Sequence, residues 1–106
     1  TLNDPVYIEA AQALARRIYK EDSLFSAIDL AFYSGVSRPA TTMEKERLGV
    51  LYHHAMERYM QDGAMAKKMA TDPLGPEEGV EDYAHLAALT VVANVVLNLD
   101  EFLMKR

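Results

Sequence analysis

The chain contains no cysteine. That excludes disulfides, thiolate metal sites and covalent c-type haem attachment within these residues. It leaves the compartment open, because a chain without cysteine suits either redox environment. A basic stripe is also missing. Arg16, Arg17 and Lys20 form only a short cluster, flanked by Glu9, Glu21 and Asp22. A nucleic-acid partner needs such a stripe to displace counterions from phosphates, so none is expected. Of the five glycines, none falls into a phosphate-cradling pattern. Nucleophile triads and zinc spacings are absent, as are internal repeats and low-complexity tracts. No apolar–polar alternation runs long enough for a strand.

What is present is ordinary globular material. Half of the 106 residues are apolar and a quarter are charged, enough for one helical domain over 1–106 with one core. The net charge of −5 is unevenly placed. Asp72, Glu77, Glu78, Glu81 and Asp82 stand together without a base, and the other 11 acids balance the 11 bases. The start at Thr1, without Met or leader, reads as a piece cut from a longer protein.

Helical punctuation runs along the whole chain. Asn3-Asp4-Pro5 reads as a cap followed by proline at the first helical position, opening a helix over about 5–20. Tyr7, Ala11, Leu14 and Ile18 recur on its inner face, with Ala10 and Ala13 beside them for close approach. Ser23 opens a second helix with Leu24, Phe25, Ile28, Ala31 and Phe32 inward, closed by Gly35 in a left-handed conformation. Arg38-Pro39 blocks continuation. Thr41 and Glu44 have capping-box spacing and start a third helix to about Gln61, with Leu48, Leu51, Tyr52, Ala55 and Tyr59 as its apolar stripe. After Asp62-Gly63, a short helix over 64–70 should carry Met65 and Met69 inward. Residues 71–79, with two prolines and two glycines, form an exposed loop.

The last helix, from Asp82 through about Tyr83 to Met104, has an unusual composition. From Tyr83 to Leu99 there is no Asp, Glu, Lys or Arg, and Thr90, Asn94 and Asn98 lie four apart on one stripe. A helix apolar nearly all round is a membrane span or the centre of a bundle. Spanning takes about 20 apolar residues, and two asparagines interrupt this run. A four- to five-helix bundle around this central helix is therefore expected, with the polar stripe forming a hydrogen-bonded seam.

Chemistry-bearing residues are sparse. His54-x-x-Glu57 and Asp82-x-x-His85 place nitrogen and carboxylate one turn apart, which is half of a dinuclear bundle pattern, one pair of it reversed. Surface histidines and helix-end electrostatics explain them as well, so no metal ligand is assigned, and His53 is treated likewise. Asp100-Glu101 point about 100° apart and do not converge. Asp100 suits an ion pair with Arg38 or Arg17. The six methionines suit irregular core gaps. No catalytic or cofactor-binding residue is assigned. Asn3, Asp4, Arg38, Asn94, Asn98 and Asp100 are expected to be structural polar groups.

Three stretches carry a resemblance: Leu2-Asn3-Asp4-Pro5 running on to Ala15, Ser37-Arg38-Pro39 with Glu44 and Leu48, and Asn98-Leu99-Asp100-Glu101-Phe102. In order and spacing the chain resembles the C-terminal part of a planctomycete domain of unknown function. That domain ends large proteins that often carry a cytochrome-c-like haem domain near the N-terminus. The resemblance implies a secreted or periplasmic, envelope-associated bacterial protein, with any haem upstream of these residues. It carries over no catalytic residue. The expected role is a non-catalytic structural or interaction module whose partners are upstream domains of the same protein, with another protein as a further candidate. The alternative is one wall of a haem-containing or polysaccharide-handling enzyme whose active site lies upstream.

Overall fold

Five helices follow one another: α1 (Pro5–Ile18), α2 (Leu24–Gly35), α3 (Thr42–Gln61), α4 (Gly63–Thr71) and α5 (Tyr83–Met104). The computed structural model describes residues 5–104, and the side chains of residues 8–99. The expected cap at Asn3-Asp4 and the side chains of Tyr7 and Asp100 lie outside the described residues. The chain is an all-α bundle, and α5 touches each of the other four helices. No described helix is long and apolar enough to cross a membrane.

The first half of α5 is sealed. Leu86, Ala87, Ala88, Leu89, Thr90, Val92 and Ala93 are buried. Each large aliphatic side chain among them contributes about 1.5–3 kcal/mol by leaving water. Alanines make the close approaches. Ala11 and Ala15 of α1, Ala27 and Ala31 of α2, and Ala66 and Ala70 of α4 are all buried. This corrects the expectation for α1, because Ala10 and Ala13 face outward. It also corrects α4 at Met65, which is 45% exposed, while Met69 packs half-buried against the core beside the buried alanines. Phe25 shares its angular position with Phe32, seven residues on, yet is 54% exposed. It stands in the first turn of α2, and burial begins only at Ala27.

The end of α2 differs from expectation in an instructive way. Gly35 is helical, and the left-handed residue is Ser37, with φ of 60°. The amides of Val36 and Ser37 both donate to the Phe32 carbonyl, at 2.8 and 2.9 Å. Gly35 has another role. A β-carbon there would stand 3.1 Å from Val96 Cγ1 and 3.4 Å from Leu97 Cδ2. Its missing side chain lets α5 lie against the end of α2.

Local chemistry fixes the helix starts. Ser23 Oγ accepts from the Ser26 amide at 3.1 Å. Thr41 and Glu44 form the expected capping box, with reciprocal bonds of 3.1 and 2.9 Å. Asp62 Oδ1 accepts from the Met65 amide at 3.0 Å. Asp82 Oδ1 accepts from the His85 amide at 3.0 Å. The Asp82-x-x-His85 spacing is thus a helix cap, in which histidine contributes its backbone.

Candidate functional site

Three polar constellations stand out from the apolar packing. The first joins the turn after α1, helix α3 and the start of α5. Tyr52 Oη lies 2.6 Å from His85 Nδ1. The His85 ring packs 5.3 Å from Tyr19 and 5.6 Å, edge-on, from Tyr52. Tyr19 Oη accepts from the amides of Glu81 and Asp82, both at 3.2 Å. Burial pushes His85 below the ordinary histidine value, against the opposing pull of Asp82 and a hydrogen bond with the Tyr19 backbone. Tyr52 is pushed up, first by burial and then by the Asp82 charge. Both shifts favour the neutral pair. The arrangement suits Tyr52 donating to Nδ1 of an imidazole protonated at Nε2, a tautomer assigned from its partners. His85 is the half-buried member of the histidine set, while His53, His54 and Glu57 are exposed. Among the described residues no three His, Asp or Glu side chains stand close enough to hold a metal.

The second constellation holds the connection between α4 and α5. Gln12 is fully buried in α1. Its amide nitrogen donates to the carbonyls of Met69 at 2.8 Å and Asp72 at 2.6 Å. Its oxygen accepts from the Leu74 amide at 3.2 Å. Both amide protons and one lone pair are used, so one side chain satisfies three backbone groups. One turn on, Arg16 donates to the Gly75 carbonyl and, at 3.4 Å, to that of Ala70. Its guanidinium also stands 4.0 Å from Glu77. Sequence reasoning missed this clamp. A glutamine between Ala11 and Leu14 on an apolar stripe was the available signal.

The third lies at the other end of α5. Arg38 meets Glu44 through two parallel bonds of 2.9 and 2.8 Å, and its guanidinium stacks 5.2 Å from the centre of Phe32. The Arg38 hydrogen bonds hold the Glu44 carboxyl down to about 2, aided by the Thr41 amide. The carboxylate that Arg38 meets is thus Glu44. Beside it, Glu44, Arg47, Leu48, Val95 and Leu99 line an open groove.

The expected polar seam on α5 does not form. Thr90 is buried and donates to the Leu86 carbonyl of its own helix at 2.8 Å. Asn94 is half-buried, and its Oδ1 is buried with no partner among the described residues. Asn98 is exposed. The physical reason is drift. Each four-residue step overshoots a full turn by about 40°, so two steps carry the stripe from core to surface.

None of these arrangements is a reaction centre by its geometry. The His85 acceptor is taken by Tyr52, and Gln12, Arg16, Arg38 and Glu44 are spent on caps and backbone groups. No protein-family model, curated protein or solved structure matches this chain.

Proposed function

We propose that this chain is a non-catalytic helical module that packs against upstream domains of a larger, envelope-associated bacterial protein. The carrying observation is the uneven cover of α5. Residues 86–90 are sealed, yet Val91, Val95, Leu97 and Leu99 further along are half-buried, with Asn94 Oδ1 unpartnered among the described residues. Apolar surface beside an unsatisfied amide suits a face that a further element completes. The envelope location, the larger parent and any haem upstream rest on the resemblance to the planctomycete C-terminal domain. Hydrogen exchange tests the reading. Amides of residues 91–99 should be more protected in the full-length parent than in this chain alone. Equal protection on every face, with and without the upstream region, would sink it.

A further inference from the structure

We propose that the Tyr19–Tyr52–His85 cluster is an acid-sensitive latch on the entry to α5. Neutral His85 accepts the Tyr52 hydroxyl and closes the turn after α1, helix α3 and α5 onto one another. Protonation of the ring turns that acceptor into a donor and opens the joint.

The geometry carries the inference. Two helices and the turn after α1 meet at one imidazole, through the 2.6 Å contact with Tyr52 and the ring contact with Tyr19. Tyr19 in turn holds the last two amides before α5, those of Glu81 and Asp82. Whatever displaces the His85 ring therefore reaches the backbone that leads into the helix. Charged and titratable groups surround the joint. Tyr19 faces it from the turn that follows Ile18. Tyr52 faces it from α3, with His53 edge-on to Tyr52 at 5.3 Å. Glu81 and Asp82 belong to the connection. Lys67 of α4 stands 5.9 Å from the centre of the Tyr83 ring, two residues before His85. Asp82 favours a charged imidazole, but burial disfavours it more strongly. The sign follows. A histidine with a depressed folded value contributes stability that is fully present above its ordinary value of about 6.5. That contribution is lost as the pH falls through the lower folded value.

The test is an NMR titration of the three histidine rings in the whole chain, with amide exchange followed across the same range. His85 should titrate below the ordinary histidine value of about 6.5. As it does so, exchange at Glu81, Asp82 and His85 should rise about tenfold beyond the intrinsic rate, as expected for a local opening. In Tyr52→Phe, which removes the donor and keeps the ring, the His85 midpoint should move up toward that ordinary value. The proposal is overturned if His85 titrates at or above about 6.5. It is equally overturned if protonation of His85 leaves those amides unchanged. Both readouts come from the unsubstituted protein, so they decide the matter even if the variant does not fold.

Discussion

The two halves of α5 are alike in sequence and unlike in surroundings. Up to Leu99 both are uncharged and mainly aliphatic, with Thr90, Asn94 and Asn98 four positions apart. Residues 86–90 are buried without exception, whereas residues 94, 95, 97 and 99 are half-covered and Asn98 is exposed. The difference lies in what the rest of the chain delivers to each half. The entry is held by side chains from α1 and α3 and by the Gln12 clamp on the connection. The exit meets the end of α2 at Gly35 and the start of α3 at Leu48. Apolar composition thus shows that a helix can be central, and its neighbours decide how far along it is.

The strongest way to break the contrast is to release the entry. Gln12→Leu keeps the volume and removes three hydrogen bonds, leaving the Met69 and Asp72 carbonyls and the Leu74 amide, all part-buried, without their partner. Orphaned buried groups cost about 1–3 kcal/mol each, with partial relief from water. A loss of about 3 kcal/mol in urea unfolding is expected, with early loss of amide protection over residues 72–82. A loss under about 0.5 kcal/mol, as at ordinary surface positions, would show that the clamp is incidental.

Next in size is the exit. In Gly35→Ala the new methyl group meets Val96 Cγ1 at 3.1 Å. Overpacking of this kind costs about 1–3 kcal/mol, less the gain in helix propensity. Ser37→Gly, two residues later, should stabilise by up to about 1 kcal/mol, because only there is φ positive. Opposite signs from the two variants, read as melting temperatures, would confirm which position needs space and which needs conformational freedom.

That pair also shows what was legible in the sequence. The helices, the capping box, the proline breaks and the central place of α5 follow from spacing and local chemistry. All of these act over one or two turns, so a single stretch contains both partners. Gly35 was assigned the left-handed role because glycine commonly takes it, but the reason for glycine there is Val96, some sixty residues away. Gln12 was overlooked for the same cause, since its partners at Met69, Asp72 and Leu74 are supplied by tertiary folding. Asp82 and His85 were noticed as possible ligands. Their roles, a cap and a tyrosine's acceptor, depend on elements no local pattern identifies.

Acid should then act on the exit through Glu44. Its folded value lies near 2 against an ordinary 4.5, chiefly through the Arg38 hydrogen bonds. A depressed carboxylate contributes stability that is fully present above pH 4.5 and lost as the pH falls toward 2. The pair is partly exposed, with side-chain exposures of 38% for Arg38 and 27% for Glu44, so its contribution is screened to about 1 kcal/mol. Glu44→Gln should flatten the stability profile in that window while leaving the contribution of His85 in place.

The smallest effects are the most informative about the open half of α5. Asn94→Leu removes a buried oxygen that has no partner among the described residues and adds apolar contact to an apolar helix. In this chain alone it should be neutral or stabilising by about 0.5–1 kcal/mol, because no bond is lost and a desolvated acceptor is relieved. Asn98→Ala, at an exposed position, should stay within about 0.5 kcal/mol. The same two variants in the full-length parent separate the alternatives. If an upstream element completes this face, Asn94→Leu removes a hydrogen bond made across the interface and becomes destabilising there. A change of sign between chain and parent would place the partner of Asn94 upstream. An unchanged sign would leave the second half of α5 a solvent-facing surface of the bundle.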